Sequence, residues 1–413
     1  MSQVILVTQR HSSSGLPVYL EEEFMAQGWE TGMVDWCESS FAVMSGLLRS
    51  VQPTKQRWHR KRERTEFYSL AAWERNTRRN GHRLEKLLEP EGKVLQIGAL
   101  YAPHPDFRRM EYYLFFTYTM KLAFRDGVSP WVPQPAERAG FVERETALYH
   151  HARHIFVSAA FVKDHLIADY GLPPERVTVV GMGVNDFYLE NASPPPATMR
   201  QNCLFAGYTW DLKGGPDVVA AFALARRELP DLRLTIVGPQ TRKEMHAPGI
   251  TVLGPVRDRR AMLEQYRAAD LFVLPSRCDS FGFVFLEAMT QGLACIGSTL
   301  NAMPEIIEHG VTGFTSEPGD VEGLARVIVE FYRRPIEQRH EMGARALARV
   351  RERFTWQSAV DTMSRAMRGG GHMPPITAGL YNTAAPLAPA DVMRPLYQQQ
   401  TRGRSRCVAL LEF

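Results

Sequence analysis

The sequence predicts an α/β protein with two domains that face each other across a cleft. Short apolar segments alternate with longer segments of helical periodicity along most of the 413 residues, as in parallel sheets covered by helices. A polar segment with three consecutive prolines, residues 191–200, interrupts this alternation, and such segments form linkers. We therefore expect one domain over residues 1–190 and a second over residues 201–355.

The first domain is predicted from four apolar segments with the length of buried strands. In chain order these are VILVTQ, VLQIGAL, HIFVSA and RVTVVGMGV. The last of them runs into a glycine-containing loop that leads to the linker.

The second domain alternates more regularly. Its predicted strands are NCLFAGY, LRLTIVGP, ITVLGPV, LFVLPS and LACIGST. Helices are predicted between and after them at PDVVAAFALARREL, RAMLEQYRAA, FVFLEAMTQG, MPEIIEHG, VEGLARVIVEFYRR and EQRHEMGARALARVRERF. Residues 368–413 are rich in proline and glycine and predict an extended tail.

Composition excludes several classes of protein. With 45% hydrophobic and 23% charged residues the chain is of the globular type, and no apolar segment reaches the ~20 residues that cross a bilayer. The N-terminus lacks the basic residues of a secretion signal. The five cysteines are scattered without a Cys-x-x-Cys pair, which argues against a disulfide framework or structural zinc and favours the reducing cytoplasm.

Residues 49–86 concentrate lysine and arginine within a net charge of only +4. A solvated helix face explains this segment. Attraction to an anionic membrane surface or to a phosphorylated acceptor also explains it, and the former would make the protein peripheral on the inner face of a membrane. No nucleic-acid-binding motif accompanies the segment, so nucleic acid is not an expected partner.

The segment DSFGFVFLEAMTQG places two acids, Asp279 and Glu287, around an apolar run. It follows the predicted strand LFVLPS, and in open α/β sheets ligands bind at the carboxyl ends of strands. The N–H groups of Phe281, Gly282 and Phe283 would form a helix N-terminus, which favours phosphate. The acids could then bind hydroxyls on either side of a phosphate. Alternatively, Asp279 caps the turn and Glu287 pairs with a basic residue.

A second strand, loop and helix occurs at FAGYTWDLKGGPDVV. Pro216 suits the first helical position, and Lys213 lies just before that helix N-terminus. A lysine beside free amides is a plausible partner of a diphosphate, although a surface lysine before a helix has the same pattern.

These segments resemble the donor-binding domain of retaining GT-B glycosyltransferases, glycosyltransferase family 4 in particular. The matching segments, from Cys203 to Phe314, are FAGYTWDLKGG, LTIVGP, VLGPV, YRAADLFVLPSRCDSFGFVFLEAMTQGLACIGS and MPEIIEHGVTGF. In the first domain, SSSGLPVYLEEEFMAQGWE and residues 150–189 resemble the family more weakly. The segment ERFTWQSAV resembles its helix that crosses back to the first domain, here residues 356–367.

The resemblance implies a GT-B fold of two Rossmann-like domains and a nucleotide-sugar donor, with no cofactor and no metal. It implies catalytic roles for Asp279 at the transferred sugar, Lys213 at the diphosphate and Glu287 at the ribose. The implied donor-binding residues are Ser14, Gly15, Tyr208, Lys213, Gly254, Val256, Asp279, Phe281, Gly282, Phe283 and Glu287. Transfer would retain the anomeric configuration, and the acceptor would be a glycan, a lipid-linked sugar or a small molecule.

The chain departs from the family pattern at several of these positions. Asp279 stands where the family has a glutamate, Tyr208 lies in the region of a usual arginine, and Asn301-Ala302 replace a Gly-Gly pair. The first-domain residue that faces the sugar is left open among Tyr118, Thr119, His104 and His11. These departures keep two alternatives to a transferase: a sugar-nucleotide epimerase or glycoside-phosphate synthase, and a sugar-nucleotide-binding protein without transfer activity.

Overall fold

The computed structural model describes residues 2–8, 15–35, 67–126, 133–198, 200–242 and 245–369. Two parallel six-stranded sheets organise these residues. The first sheet contains β1 (Gln3–Thr8), β2 (Glu30–Asp35), β3 (Lys93–Ile97), β4 (Tyr113–Phe116), β5 (His154–Val157) and β6 (Val177–Val179), in the order β2-β1-β3-β4-β5-β6. Its helices are α1 (Leu16–Ala26), α2 (Leu70–Leu87), α3 (Met120–Arg125), α4 (Arg138–His151), α5 (Ala160–Tyr170) and α6 (Asp186–Glu190).

The second sheet contains β7 (Asn202–Ala206), β8 (Arg233–Val237), β9 (Ile250–Gly254), β10 (Leu271–Leu274), β11 (Ala294–Ser298) and β12 (Gly313–Ser316). Its helices are α7 (Gly215–Ala225), α8 (Arg259–Arg267), α9 (Phe283–Thr290), α10 (Met303–Ile306), α11 (Val321–Arg333), α12 (Ile336–Arg353) and α13 (Trp356–Arg368). Continuous apolar composition explains the central strands, because strands covered by helices on both faces are buried along their whole length. All four residues of β10 are buried, as are all six of β1.

The strand order of the second sheet, β12-β11-β10-β7-β8-β9, reverses direction at β7 and β10. These two strands are neighbours, with Leu271 paired to Cys203. A crevice forms at the carboxyl ends of strands where the order reverses, and it is the usual ligand position in open α/β sheets. The loops after β7 and β10 carry Lys213 and Asp279, so the topology brings the two predicted loops to this point.

The last helix returns to the first domain. Trp356 of α13 stacks on Tyr19 of α1, with ring centroids 5.8 Å apart and planes inclined by 8°. The Trp29 indole N–H donates to the Ser364 hydroxyl at 2.8 Å. The chain thus crosses between the domains twice, once through residues 191–201, where the described residues form no helix or strand, and once at α13.

The first sheet has two strands that the sequence pattern did not predict, β2 and β4. In β2 only the last two residues are buried, so it lacks the apolar run of a central strand, and β4 is only four residues long. The predicted strand RVTVVGMGV is reduced to Val177–Val179. The proposed tail lies outside the described residues from residue 370 onward.

Among the described residues, no helix combines the length and apolarity needed to span a membrane. Cys203, Cys278 and Cys295 are buried free thiols.

Candidate active site

Among the helices that the structure describes, three begin at a glycine in the left-handed region, and glycine has no side chain that could cap the helix itself. The glycines are Gly15 before α1 (φ 69°), Gly214 before α7 (φ 73°) and Gly282 before α9 (φ 84°). Six other described helices, by contrast, are capped by an oxygen of their own N-cap side chain: Ser69, Thr119, Asn185, Asp258, Asp320 and Thr355. An uncapped helix N-terminus is suited to a bound anion.

Gly214 brings the loops after β7 and β10 into backbone contact. A β-carbon at Gly214 would lie 2.3 Å from the carbonyl oxygen of Pro275, so only glycine permits this approach. A β-carbon at Gly215 would overlap the buried Trp210 ring, so this position also requires glycine. The loops after β7 and β10, which the sequence predicts to bind phosphate, are therefore packed against each other.

Lys213 and Asp279 form an ion pair at this junction. The lysine Nζ lies 2.5 Å from the Asp279 Oδ2, and the two side chains are 19% and 13% exposed. Asn301 donates from its Nδ2 to the Asp279 carbonyl at 3.1 Å, and Asn301 has a φ of 53°, a conformation that asparagine tolerates better than most residues. The sequence predicts that both side chains lie in loops at the carboxyl ends of strands, and the structure shows that they contact each other.

Glu287 lies on α9 and is half-buried. Burial raises the pKa of its carboxyl to about 7, while hydrogen bonds from Tyr266 and Tyr188 and the charge of Arg259 act in the opposite direction. The Tyr266 hydroxyl donates to the carboxylate at 2.8 Å. The carboxyl is thus an acceptor whose charge changes near neutral pH.

Tyr208 spans the ends of β7 and β9. The residue is 56% exposed, and its hydroxyl donates to the Val256 carbonyl at 3.1 Å. Gly254, two residues earlier, has a φ of 71°, and among the described residues other than its chain neighbours none places an atom within 4 Å of the position of a β-carbon. The predicted donor-binding segment at Gly254 and Val256 is therefore an open turn beside an exposed aromatic residue.

Two further predicted donor-binding residues are Phe281 and Ser14. Phe281 is 2% exposed and packs its ring against Phe283 and Phe354, so its side chain is part of the core. Ser14 lies outside the described residues, as does His11.

Of the three described candidates for a sugar-facing residue in the first domain, Tyr118 approaches the Asp279 loop. Its hydroxyl lies 3.6 Å from the Cys278 Sγ and donates to the Asp126 carboxylate. Thr119 caps α3 by accepting from the Leu122 N–H.

His104 is engaged elsewhere. Its Nε2 lies 3.1 Å from the Glu85 carboxylate of α2, and its Nδ1 accepts from the Asp106 N–H. These contacts fit a structural histidine.

Two residues that sequence reasoning missed connect these loops to their surroundings. Arg277 joins the loops after β7 and β10, and Glu305 of α10 accepts hydrogen bonds from the start of α5 in the first domain. The order Arg-x-Asp was visible in the sequence, whereas nothing local indicated the partner of Glu305.

The basic segment 49–86 is described only from residue 67 onward. In this part α2 exposes Arg78 and Lys86 together with Glu74 and Glu85, so the charges on its surface are mixed. Glu74 pairs with Arg144 at 3.0 Å. No group of three or more metal-binding side chains is assembled among the residues that the structure describes.

Residues 200–334 match the family model for glycosyl transferases group 1. D-inositol 3-phosphate glycosyltransferase of Streptomyces scabiei is 28% identical over 265 residues, which are 58% of this chain and 58% of that protein. N-acetyl-alpha-D-glucosaminyl L-malate synthase of Bacillus anthracis is 36% identical over 152 residues, 35% of this chain and 39% of that protein. The chain thus spans about half the length of the curated relatives it matches.

The fold also matches solved structures. Sucrose-phosphate synthase from Thermosynechococcus elongatus superimposes with a TM-score of 0.64 at 16% identity, over 89% of this chain and 98% of that one. The predicted fold of two Rossmann-like domains, GT-B, is confirmed by this likeness and by the two parallel sheets.

Proposed function

We propose that this chain, which carries a glycosyltransferase group 1 domain at residues 200–334, transfers a sugar from a nucleotide-sugar donor to an acceptor with retention at the anomeric carbon. The observation that carries the proposal is the Lys213–Asp279 pair, which lies between two uncapped helix N-termini at the point where the strand order reverses. Such a junction suits a diphosphate flanked by hydroxyl groups.

In the proposed reaction Lys213 binds the diphosphate of the donor. The ammonium and the N–H groups that begin α7 and α9 stabilise the negative charge that develops on the diphosphate as the sugar leaves. In the structure the Asp279 carboxylate neutralises this ammonium at 2.5 Å. When the diphosphate takes that position, the Asp279 carboxylate becomes available to accept hydrogen bonds from the transferred sugar.

Glu287 is proposed to bind the ribose hydroxyls. It lies about one turn into α9, and the Tyr266 hydroxyl at 2.8 Å orients its carboxylate. Tyr208 and the turn at Gly254 and Val256 lie where the base would extend, and the exposed ring offers a face for stacking.

The acceptor is proposed to be a small anionic molecule, among the three classes that the sequence left open. The two relatives take their names from D-inositol 3-phosphate and L-malate, both anionic. Contact of residues 49–86 with an anionic membrane is the alternative for that segment, and it would suit a lipid-linked acceptor. Because Lys213 and the helix N-termini supply the positive charge, we expect turnover to persist in excess EDTA.

A thermal-shift screen with UDP, ADP, GDP and their glucose or mannose derivatives tests donor binding. A ligand at 100 times its dissociation constant adds about 2.7 kcal/mol to the free energy of unfolding. The donor that binds is then incubated with inositol phosphate, hexose phosphates and malate, and the product's anomeric configuration is read by proton NMR. A retained α-linkage from an α-linked donor is the expected result.

Two other outcomes would favour the alternatives. An epimerised sugar nucleotide in the absence of acceptor would indicate an epimerase, and transfer confined to the hexose phosphates would indicate a glycoside-phosphate synthase. Tight donor binding without any product across the acceptor panel would indicate a binding protein, and no binding of any nucleotide would overturn the assignment as a whole.

A further inference from the structure

Arg277 lies two residues before Asp279, in the loop after β10, and binds the segment after β7 at three points. Its backbone N–H donates to the Leu212 carbonyl at 2.9 Å. Its guanidinium donates to the Asp211 carbonyl at 3.0 Å and to the Asp217 carboxylate at 2.7 Å. These three bonds bracket the residue that carries the site ammonium, so the position of that ammonium depends on them.

Asp217 is an acid close to the proposed diphosphate site, and its carboxylate pairs with Arg277. The acid stands in the first turn of α7, at the helix N-terminus proposed to bind the diphosphate. A free carboxylate at that position is attracted to the helix N–H groups and repels a phosphate. The side chains of Arg277 and Asp217 are 15% and 11% exposed, so solvent screens their attraction only weakly. The arginine thus cancels a negative charge where the proposed ligand is itself negative.

We propose that Arg277 is a positioning residue of the donor site, which holds the two phosphate loops together and neutralises Asp217 so that Lys213 and the α7 N-terminus can bind a diphosphate. This inference rests on the proposed function. A planar guanidinium serves a carbonyl and a carboxylate simultaneously, whereas a lysine ammonium is a point charge on a flexible stem. Charge and geometry are therefore separable by substitution.

The test compares R277Q, R277K, D217N and the double variant R277Q/D217N. Binding of UDP, ADP and GDP is measured by calorimetry, and kcat and KM are measured with the corresponding nucleotide sugar. R277Q leaves Asp217 unpaired, and we expect it to weaken diphosphate binding about ten-fold or more, since it removes charge-assisted hydrogen bonds. The double variant should recover that affinity but not kcat, and R277K should keep affinity while kcat falls.

R333Q is the matched control. Arg333 pairs with Glu228 at 2.5 Å, but the side chains are 63% and 50% exposed and neither belongs to the donor site. This variant should match the wild type in every measurement. If R277Q folds poorly by circular dichroism, R277K carries the test alone, and a wild-type kcat in R277K overturns the positioning role.

The two proposals fail in different ways. If the wild-type protein binds none of the three diphosphates, the proposed function itself is contradicted. Wild-type protein that binds and turns over, with R277Q binding equally well or with no recovery of affinity in the double variant, removes only the role of Arg277.

Discussion

The Glu305 carboxylate accepts hydrogen bonds from the backbone N–H of Ala160, which lies 2.8 Å from each of its oxygens. The N–H of Phe161 donates to the same carboxylate at 3.3 Å. Ala160 begins α5, and the preceding Ala159 has no side-chain oxygen to cap the helix. A residue of α10 in the second domain therefore caps a helix of the first, and the cap holds the two domains together.

Replacing Glu305 should loosen this contact in a pH-dependent way. Burial raises the pKa of its carboxyl to about 7 from an ordinary value of 4.5, so the folded protein favours the protonated form. The carboxyl then stabilises the fold fully below pH 4.5, and this contribution is lost as pH rises through about 7. Between those values, urea unfolding should show the wild type losing stability more steeply than E305Q.

Hydrogen exchange gives a local readout of the same contact. In E305A the N–H groups of Ala160 and Phe161 lose their acceptor, and we expect faster exchange there and a loss of about 1 kcal/mol, as for other helix caps. E308Q is the control, because Glu308 is 53% exposed and pairs with Arg349 within the second domain. Unchanged exchange at α5 in E305A would show that the cap contributes nothing.

The Lys213–Asp279 pair predicts opposite effects of its two substitutions on diphosphate binding. K213A removes the ammonium and leaves a carboxylate beside the phosphates, so diphosphate affinity should fall, and turnover should fall by a factor of about a hundred or more. D279N frees the ammonium, so UDP, ADP or GDP should bind as tightly as before or more tightly, while turnover of the nucleotide sugar falls. Calorimetry and initial rates measure the two quantities, and equal losses of affinity would contradict the proposed geometry.

Donor binding should depend on pH through Glu287. If its carboxylate accepts hydrogen bonds from the ribose, affinity should rise as pH increases through about 7, where the carboxyl ionises. Y266F removes a hydrogen bond that lowers this pKa, so the midpoint should move to higher pH, and E287Q should remove the dependence. A nucleotide sugar is the proper probe, since the terminal phosphate of a nucleoside diphosphate itself titrates near pH 6. A flat profile in the wild type would exclude the assigned role.

The positions of Lys213 and Asp279 could be predicted from the sequence because each follows an apolar strand. β7 and β10 are short buried runs, so the loops after them must lie at the carboxyl edge of a parallel sheet. The helical periodicity and the glycines indicate where each loop ends and the following helix begins. That the two charges pair could not be predicted, since it depends on β7 and β10 being neighbours.

The contacts that sequence reasoning missed join residues far apart in the chain. Glu305 and Ala160 are separated by 145 positions, and Arg277 and Asp217 by 60. Local periodicity carries no information about such pairs. The strand β2 was missed for a different reason, because its first four residues are incompletely buried and their composition does not resemble a core strand.

The last prediction concerns the glycines that shape the site. Gly214 and Gly254 have similar φ values, 73° and 71°. A β-carbon at Gly214 would lie 2.3 Å from the Pro275 carbonyl oxygen, whereas a β-carbon at Gly254 would have no atom of the described residues within 4 Å apart from its chain neighbours. G254A should therefore lower the free energy of unfolding only by the cost of placing alanine in the left-handed region, about 1 kcal/mol. G214A adds a clash with backbone that cannot rotate away, so it should cost clearly more and should separate the loop of Lys213 from that of Asp279, with loss of diphosphate binding. Urea unfolding gives the two stabilities, and similar losses for both variants would mean that the loops are not held in contact at Gly214.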